Sequence, residues 1–289
     1  MHADSTRVVF PSSGVAEVPL IFEPKVLRFQ AAGPGGDPMM VLLDTGTDPS
    51  AIDLGLARRL GLPLGEFAMG YGAATNAIPF TETMLPWLRI GPLTLRNLSV
   101  LALDLQAVPF QVDVVLGYNV LWQVVVHIDY ERRVIRLSHP DLGLPVSLPP
   151  DRLLPLAFFE HFPALTDVTL GQELHLPLVT IDTGSNGGLS LGPDLAQRLG
   201  LHRASEGVTV AEGAGFGGCC EVLRGEIDSL LLGPFTLHRV EIDTPGEGTG
   251  DLSRHGRANM GNSLLSRFAS VTLDYGRRVC GLGPRAGTT

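Results

Sequence analysis

The sequence predicts an all-β protein, mainly β with a few short helices, and three observations lead there. Glycine (35) and proline (22) are frequent among the 289 residues, which favours many turns between short strands over long helices. Apolar runs are short. Residues 39–43 are one of them, continuous and bounded by turn-forming residues, the pattern of a buried strand. The chain also repeats itself across nearly its whole length, so that one half restates the structure of the other.

The repeat runs element by element. Val41-Leu42-Leu43-Asp44-Thr45-Gly46-Thr47 recurs as Val179-Thr180-Ile181-Asp182-Thr183-Gly184-Ser185. Each segment is a strand that ends at an aspartate. A short helix follows: Ile52, Leu56 and Leu60 fall on one helical face, and Gly61 is placed to close the helix in the left-handed conformation. In the second copy Pro193 can begin the helix, Leu195 and Leu199 line its face, and Gly200 ends it. Gly91-Pro92-Leu93-Thr94-Leu95 then recurs as Gly233-Pro234-Phe235-Thr236-Leu237, and Asp129-Tyr130-Glu131-Arg132-Arg133-Val134 as Asp274-Tyr275-Gly276-Arg277-Arg278-Val279. Further strands are expected at 84–90, 94–103, 124–128 and 134–137. The join lies in 139–150, where prolines and Gly143 block regular structure. The expected organisation is therefore two similar lobes, residues 1–146 and 147–289.

Composition narrows the function. A formal charge of −9 leaves no basic face for a phosphate backbone, so nucleic acid is not an expected partner. No apolar run reaches the roughly 20 residues needed to span a bilayer, and residues 119–128 are interrupted by Gln123 and His127. The N-terminus lacks a cationic start followed by an apolar stretch. The expectation is a soluble protein, cytoplasmic or exported with a leader not present in this sequence. Cys219, Cys220 and Cys280 are too few for a disulfide framework. The first two either form an adjacent disulfide or are small residues in a glycine-rich loop. The histidines, among them His127, His161, His175, His202 and His255, show no metal-ligand spacing. No Gly-x-Ser-x-Gly elbow is present, and no metal or other cofactor is implied.

Asp44 and Asp182 carry the chemistry. One Asp-Thr-Gly arises by chance in roughly one chain in twenty of this length, and a lone copy would read as an aspartate capping a turn. Two copies, each after an apolar strand and each followed by a hydroxyl residue and a helix, point to a working pair. Two carboxyls about 3 Å apart cannot both ionise, so they share a proton; one can activate water while the other polarises a carbonyl. Gly46 and Gly184 allow close backbone approach and offer N–H groups to the charged form. Thr45 and Thr183 can hydrogen-bond across the junction and lock the two turns together.

These motifs resemble the pepsin-like and retroviral aspartic proteases, over essentially the whole chain. Val115-Leu116-Gly117 matches the apolar pair plus glycine that threads beneath each catalytic turn in that family. Asn259-Met260-Gly261 departs from it at Asn259, so different packing is expected there. The resemblance implies two pseudo-twofold-related, retropepsin-like β-barrel lobes with the active site between them. It also implies an aspartic endopeptidase acting on peptide or protein substrates as a monomer, an intramolecular pseudo-dimer. A flap over the substrate is implied in each lobe, at Gly70, Tyr71 and Gly72 and at Gly215, Phe216 and Gly217. Ordinary glycine-rich hairpins are the alternative. Thr47 and Ser185 stand where pepsin-like enzymes carry Ser or Thr, and hydroxyl donation to the carboxylates would shift the pH optimum toward acid. Val41, Met69, Tyr71, Phe80, Leu116 and Val179 are expected to shape the cleft. The competing readings are a catalytically silent two-lobed protein that binds peptide or another ligand, and a carboxylate-pair hydrolase for another bond, whose groups would stand at least about 5 Å apart.

Overall fold

A computed structural model describes residues 5–71, 77–145, 147–171, 174–201, 206–215, 218–245 and 256–285. The first half contains β1 (Arg7–Val9), β2 (Val15–Pro19), β3 (Arg28–Ala32), β4 (Pro38–Leu43), β5 (Ala51–Asp53), β6 (Phe67–Tyr71), β7 (Ala77–Ile90), β8 (Leu93–Leu103), β9 (Val114–Leu116), β10 (Val125–Asp129) and β11 (Val134–Ser138). Its helices are α1 (Leu54–Arg59) and α2 (Tyr118–Leu121). The second half contains β12 (Leu153–Phe159), β13 (Phe162–Leu165), β14 (Val168–Leu170), β15 (Leu174–Leu176), β16 (Val179–Ile181), β17 (Leu189–Leu191), β18 (Thr209–Gly215), β19 (Gly218–Leu232), β20 (Phe235–Pro245), β21 (Ala258–Met260), β22 (Ser270–Asp274) and β23 (Val279–Gly283). Its helices are α3 (Pro193–Arg198) and α4 (Asn262–Leu265). The fold is all-β with a few short helices.

Local chemistry explains the punctuation. Asp53 caps α1 through its side chain, which accepts the Leu56 N–H, so the strand before it runs on to Asp53. Ile52, expected on the helix, is therefore a strand residue. Gly61 (φ 65) and Gly200 (φ 73) end α1 and α3 in the left-handed region, as a C′ glycine does. The strand expected at 84–90 begins earlier, at Ala77, because its first residues pair with β6 in a hairpin, Phe67 opposite Thr81 through Tyr71 opposite Ala77.

Two sheets result. One has eight strands in the order β1-β8-β5-β9-β4-β3-β7-β6, with β7 also paired to β8. The other runs β15-β14-β19-β20-β17-β21-β16-β13-β12-β23-β22-β10-β11-β2, with β18 on β19. The pairings around the two aspartates correspond. β4 lies parallel to β9, with Leu42 opposite Val115, and β16 lies parallel to β21, with Thr180 opposite Asn259. Positive φ recurs at matching non-glycine positions too, Asn97 (51) with Arg239 (52) and Arg133 (56) with Arg278 (56).

Strands of the two halves also join. β10 pairs antiparallel with β22, placing His127 opposite Thr272. These are equivalent positions of the repeat, so the pairing is self-complementary about that point. The sheet thus crosses the 146/147 boundary. A main apolar cluster draws on both halves, and a smaller one, Val26, Leu42, Ala51, Leu105, Val112 and Val115, lies in the first half alone.

Candidate active site

β4 and β16 deliver Asp44 and Asp182 to one place. Both strands are flanked by buried neighbours, and each aspartate N–H is bonded to the strand beneath it, Asp44 to the Leu116 carbonyl (3.0 Å) and Asp182 to that of Met260 (2.9 Å). Strand pairing therefore sets both aspartate positions before any side chain contributes.

Thr45 and Thr183, both buried, join the turns reciprocally. Thr45 Oγ1 donates to the Ile181 carbonyl (2.6 Å) and accepts the Thr183 N–H (3.0 Å). Thr183 Oγ1 donates to the Leu43 carbonyl (2.8 Å) and accepts the Thr45 N–H (3.1 Å). Each hydroxyl uses its one proton and a lone pair on the opposite turn, so no member of the set is left unpaired.

The glycines answer to the opposing carboxyl. A Cβ on Gly184 would lie 2.4 Å from the Asp44 carboxyl, and one on Gly46 would lie 2.9 Å from that of Asp182. Each glycine N–H also donates to its own aspartate, Gly46 to Asp44 Oδ1 (2.7 Å) and Gly184 to Asp182 Oδ1 (2.9 Å). Each carboxyl thus lies against the opposing turn, which brings the two close enough to interact. Burial first, and then the charge of Asp182, push the Asp44 carboxyl up to about 7, against the hydrogen bonds from Thr47 and Gly46.

The outer oxygens are held differently. Thr47 Oγ1 lies 2.6 Å from Asp44 Oδ2, as expected of a hydroxyl at that position. The Ser185 hydroxyl instead accepts the Gly187 N–H (3.2 Å), and Ser185 reaches Asp182 through its main-chain N–H, which donates to Oδ1 (3.1 Å). The hydroxyl contact expected there is made by an amide: Asn259 Nδ2 donates to Asp182 Oδ2 at 2.9 Å.

Residues 32–120 match the family model described as aspartyl protease. That stretch holds Asp44, Thr45, Gly46, Thr47 and the Val115-Leu116-Gly117 strand of the aspartyl protease pattern, and it stops short of the second half. The first half of the chain is thus similar to aspartyl proteases. No curated protein matches the chain at a significant level.

Beneath the turns lies a layer that the sequence pattern does not single out. Asn262, fully buried, donates from Nδ2 to the carbonyls of Thr183 (2.7 Å) and Ser185 (3.0 Å) and accepts from Tyr130 Oη (2.9 Å). In the first half Asn119 Oδ1 accepts from both the N–H (2.9 Å) and the hydroxyl (2.6 Å) of Ser50. Tyr130 and Tyr275 are buried, and burial pushes both phenols up. The signal that could have found the asparagines is their place, one or two residues past Gly117 and Gly261.

Two hairpins carry the expected flap segments. β6 and β7 form the first, β18 and β19 the second, the latter paired from Thr209 opposite Arg224 to Gly215 opposite Gly218. Gly70, Tyr71 and Gly215 are strand residues in them; Gly72, Phe216 and Gly217 lie outside the described residues, as do His202 and His255. Met69 is exposed, but Val41, Leu116 and Val179 are fully buried in the core and so do not shape a cleft. Cys280 is a buried free thiol, pushed up to about 12 by burial. Among the described residues no group of three His, Cys, Asp or Glu is placed to hold a metal ion, and no helix is long and apolar enough to cross a membrane.

Proposed function

We propose that the chain is an aspartic endopeptidase in which Asp44 and Asp182 hydrolyse a peptide bond with one water. The observation that carries this reading is the close approach of the two carboxyls, one of them buried and pushed up to about 7, across turns tied by Thr45 and Thr183. Two carboxyls that interact so closely hold one proton between them over a broad acid range. The ionised member takes a proton from the water as its oxygen attacks the carbonyl carbon. The protonated member gives its proton to the carbonyl oxygen. Collapse of the tetrahedral diol breaks the C–N bond: one diol hydroxyl returns its proton to the carboxylate, the other carboxyl gives its proton to the departing nitrogen, and the pair again holds one proton.

In this reading residues 1–146 and 147–289 are two retropepsin-like lobes of a monomer, related by a pseudo-twofold axis between the aspartates. The β6–β7 and β18–β19 hairpins, which include Gly70, Tyr71 and Gly215, act as flaps and offer strand edges to an extended peptide. The Thr47 hydroxyl favours the acid-shifted optimum expected from the sequence, but burial and the charge of Asp182 outweigh it, so activity should extend up to about pH 7, where the pair loses its shared proton.

Cleavage of an unbiased peptide library at several pH values, with pepstatin as probe, tests this. Asp44→Asn and Asp182→Asn should each abolish cleavage. Cleavage that survives either substitution overturns the assignment. Peptide binding without cleavage by the unaltered chain would instead favour a catalytically silent ligand-binding protein.

A further inference from the structure

Asp44 and Asp182 occupy equivalent strand ends, yet the surfaces beside them differ in kind. Next to Asp44 the paired residues Leu42 and Val115, with Ala51 adjoining, are apolar and buried in the small first-half cluster. The matching positions beside Asp182 are Thr180 and Asn259, with Ser190 adjoining. Three apolar side chains are thus replaced by three polar ones.

The polar set is ordered toward the carboxyl. Thr180 Oγ1 lies within hydrogen-bond distance of Asn259 Oδ1 (2.9 Å) and of the Ala258 carbonyl (3.1 Å); donated to the nearer of the two, its proton orients the amide so that Nδ2 faces Asp182 Oδ2. Asp182 then receives N–H donors from Gly184, Ser185 and Asn259. An amide N–H can only donate, so it offers no acceptor to a proton on Oδ2 of Asp182. The hydroxyl of Thr47, at Asp44 Oδ2, can donate or accept and therefore suits either form of Asp44. Three fixed donors favour a carboxylate.

Resting on the peptidase reading above, we propose that Asn259 is a positioning residue that keeps Asp182 ionised in the free protein. Asp44 then carries the shared proton. Asp182 takes the proton of the attacking water, and Asp44 gives its own to the substrate carbonyl oxygen. Buried Asp44 is also the better place for a neutral carboxyl, since it is 6 % exposed whereas Asp182 is only partly buried.

Other ionisable groups on the surrounding elements leave this arrangement intact. Asp243 on β20 is buried and turned to Ser190, with its carboxyl pushed up by burial. Arg224 on β19 and Glu241 on β20 face each other at 3.7 Å. Lys25 reaches Ser263 (3.1 Å), and His161 is held by Asp48 on the outer side of the first turn. None of these donates a hydrogen bond to Asp182 Oδ2.

The test uses the full chain with 13C-labelled aspartate, because the Cγ shift of each residue reports its own protonation without any turnover. At about pH 5 the Asp44 signal should be that of an acid and the Asp182 signal that of a carboxylate. Asn259→Val, which copies Val115, should move a substantial part of the proton to Asp182. It should also move the acid limb of kcat/KM up by about one pH unit, a tenfold change in proton concentration, with little change in KM on the plateau. Thr180→Val, a near-isosteric change that frees the amide to turn, should move both readouts in the same direction by less, and it serves if Asn259→Val does not fold. Protonated Asp182 in the unaltered chain, or a folded Asn259→Val with both Cγ signals unmoved, overturns the proposal. If the unaltered chain cleaves nothing, the peptidase reading fails while the Cγ signals still decide the role of Asn259.

Discussion

Asp44 is buried, next to a second carboxyl, and pushed up to about 7 from an ordinary value of 3.8. The folded state therefore binds this proton more tightly than the unfolded chain does. Between about pH 4 and pH 7 the native state holds more protons, so this contribution to stability is complete below about pH 4 and is lost as pH rises through about 7. Asp44→Asn keeps the shape of the neutral acid and cannot ionise. Its melting temperature relative to the unaltered chain should rise steadily from pH 4 to pH 7, as read by calorimetry. A difference that stays flat over this range would mean that Asp44 is not the site of the shared proton. The aspartates, threonines and glycines of both turns were legible from the sequence, because matched copies of a short motif leave little freedom in their placement. The roles of Ser185 and Asn259 were not. A hydroxyl after Asp-Thr-Gly can bond forward or back, and only the Gly187 N–H, brought close by the turn, decides it. The departure of Asn259 from the apolar pattern was visible, but its direction toward Asp182 depends on the register of β16 against β21.

The elements under the turns are close enough that single atoms matter. Gly117, between β9 and α2, passes so near the first turn that a Cβ there would lie 2.4 Å from the Thr47 carbonyl oxygen. That carbonyl also accepts the Tyr118 N–H at 2.9 Å. Gly117→Ala must push β9 and the turn apart, at a cost of roughly 1–3 kcal/mol. Activity should fall further than stability, since the displaced backbone carries Asp44. Comparing kcat with the denaturation midpoint separates the two effects. Thr45→Val makes the complementary change by keeping the volume and removing the hydroxyl. It leaves the Ile181 carbonyl and the Thr183 N–H buried without partners, and roughly 2–4 kcal/mol of stability should be lost, measured by urea denaturation. A change within about 0.5 kcal/mol would show that the reciprocal bonds do not hold the turns together. Strand existence was legible here and strand extent was not: β7 begins at Ala77 because β6 lies beside it, a partner invisible in the local pattern of residues 77–83.

At the scale of the molecule, the repeat and the β10–β22 pairing make one argument about assembly. β10 meets β22 with His127 opposite its repeat equivalent Thr272, so β10 should be able to meet a second β10 in the same register. Thr45 could then bond to Thr45 of the second copy as it now bonds to Thr183. Residues 1–146 produced alone should form a homodimer through this edge, since an unpaired central strand with Val125, Val126 and Ile128 buried in the intact chain is a ready template for pairing. The dimer would carry a cost that the intact chain avoids. His127 would face His127 where it now bonds to the Thr272 hydroxyl at 2.8 Å. Burial already pushes the His127 imidazole down, so its neutral form is the one compatible with the interface. As pH falls below the ordinary value of 6.5, protonation should favour the separated fragments, where the ring is exposed. Sedimentation of the fragment should give a dimer at about pH 8 that dissociates toward about pH 5, and His127→Thr should flatten that dependence. A fragment that stays monomeric at high concentration would mean that the β10 edge is specific for β22, and the two halves would then be partners by differences between them rather than by their symmetry.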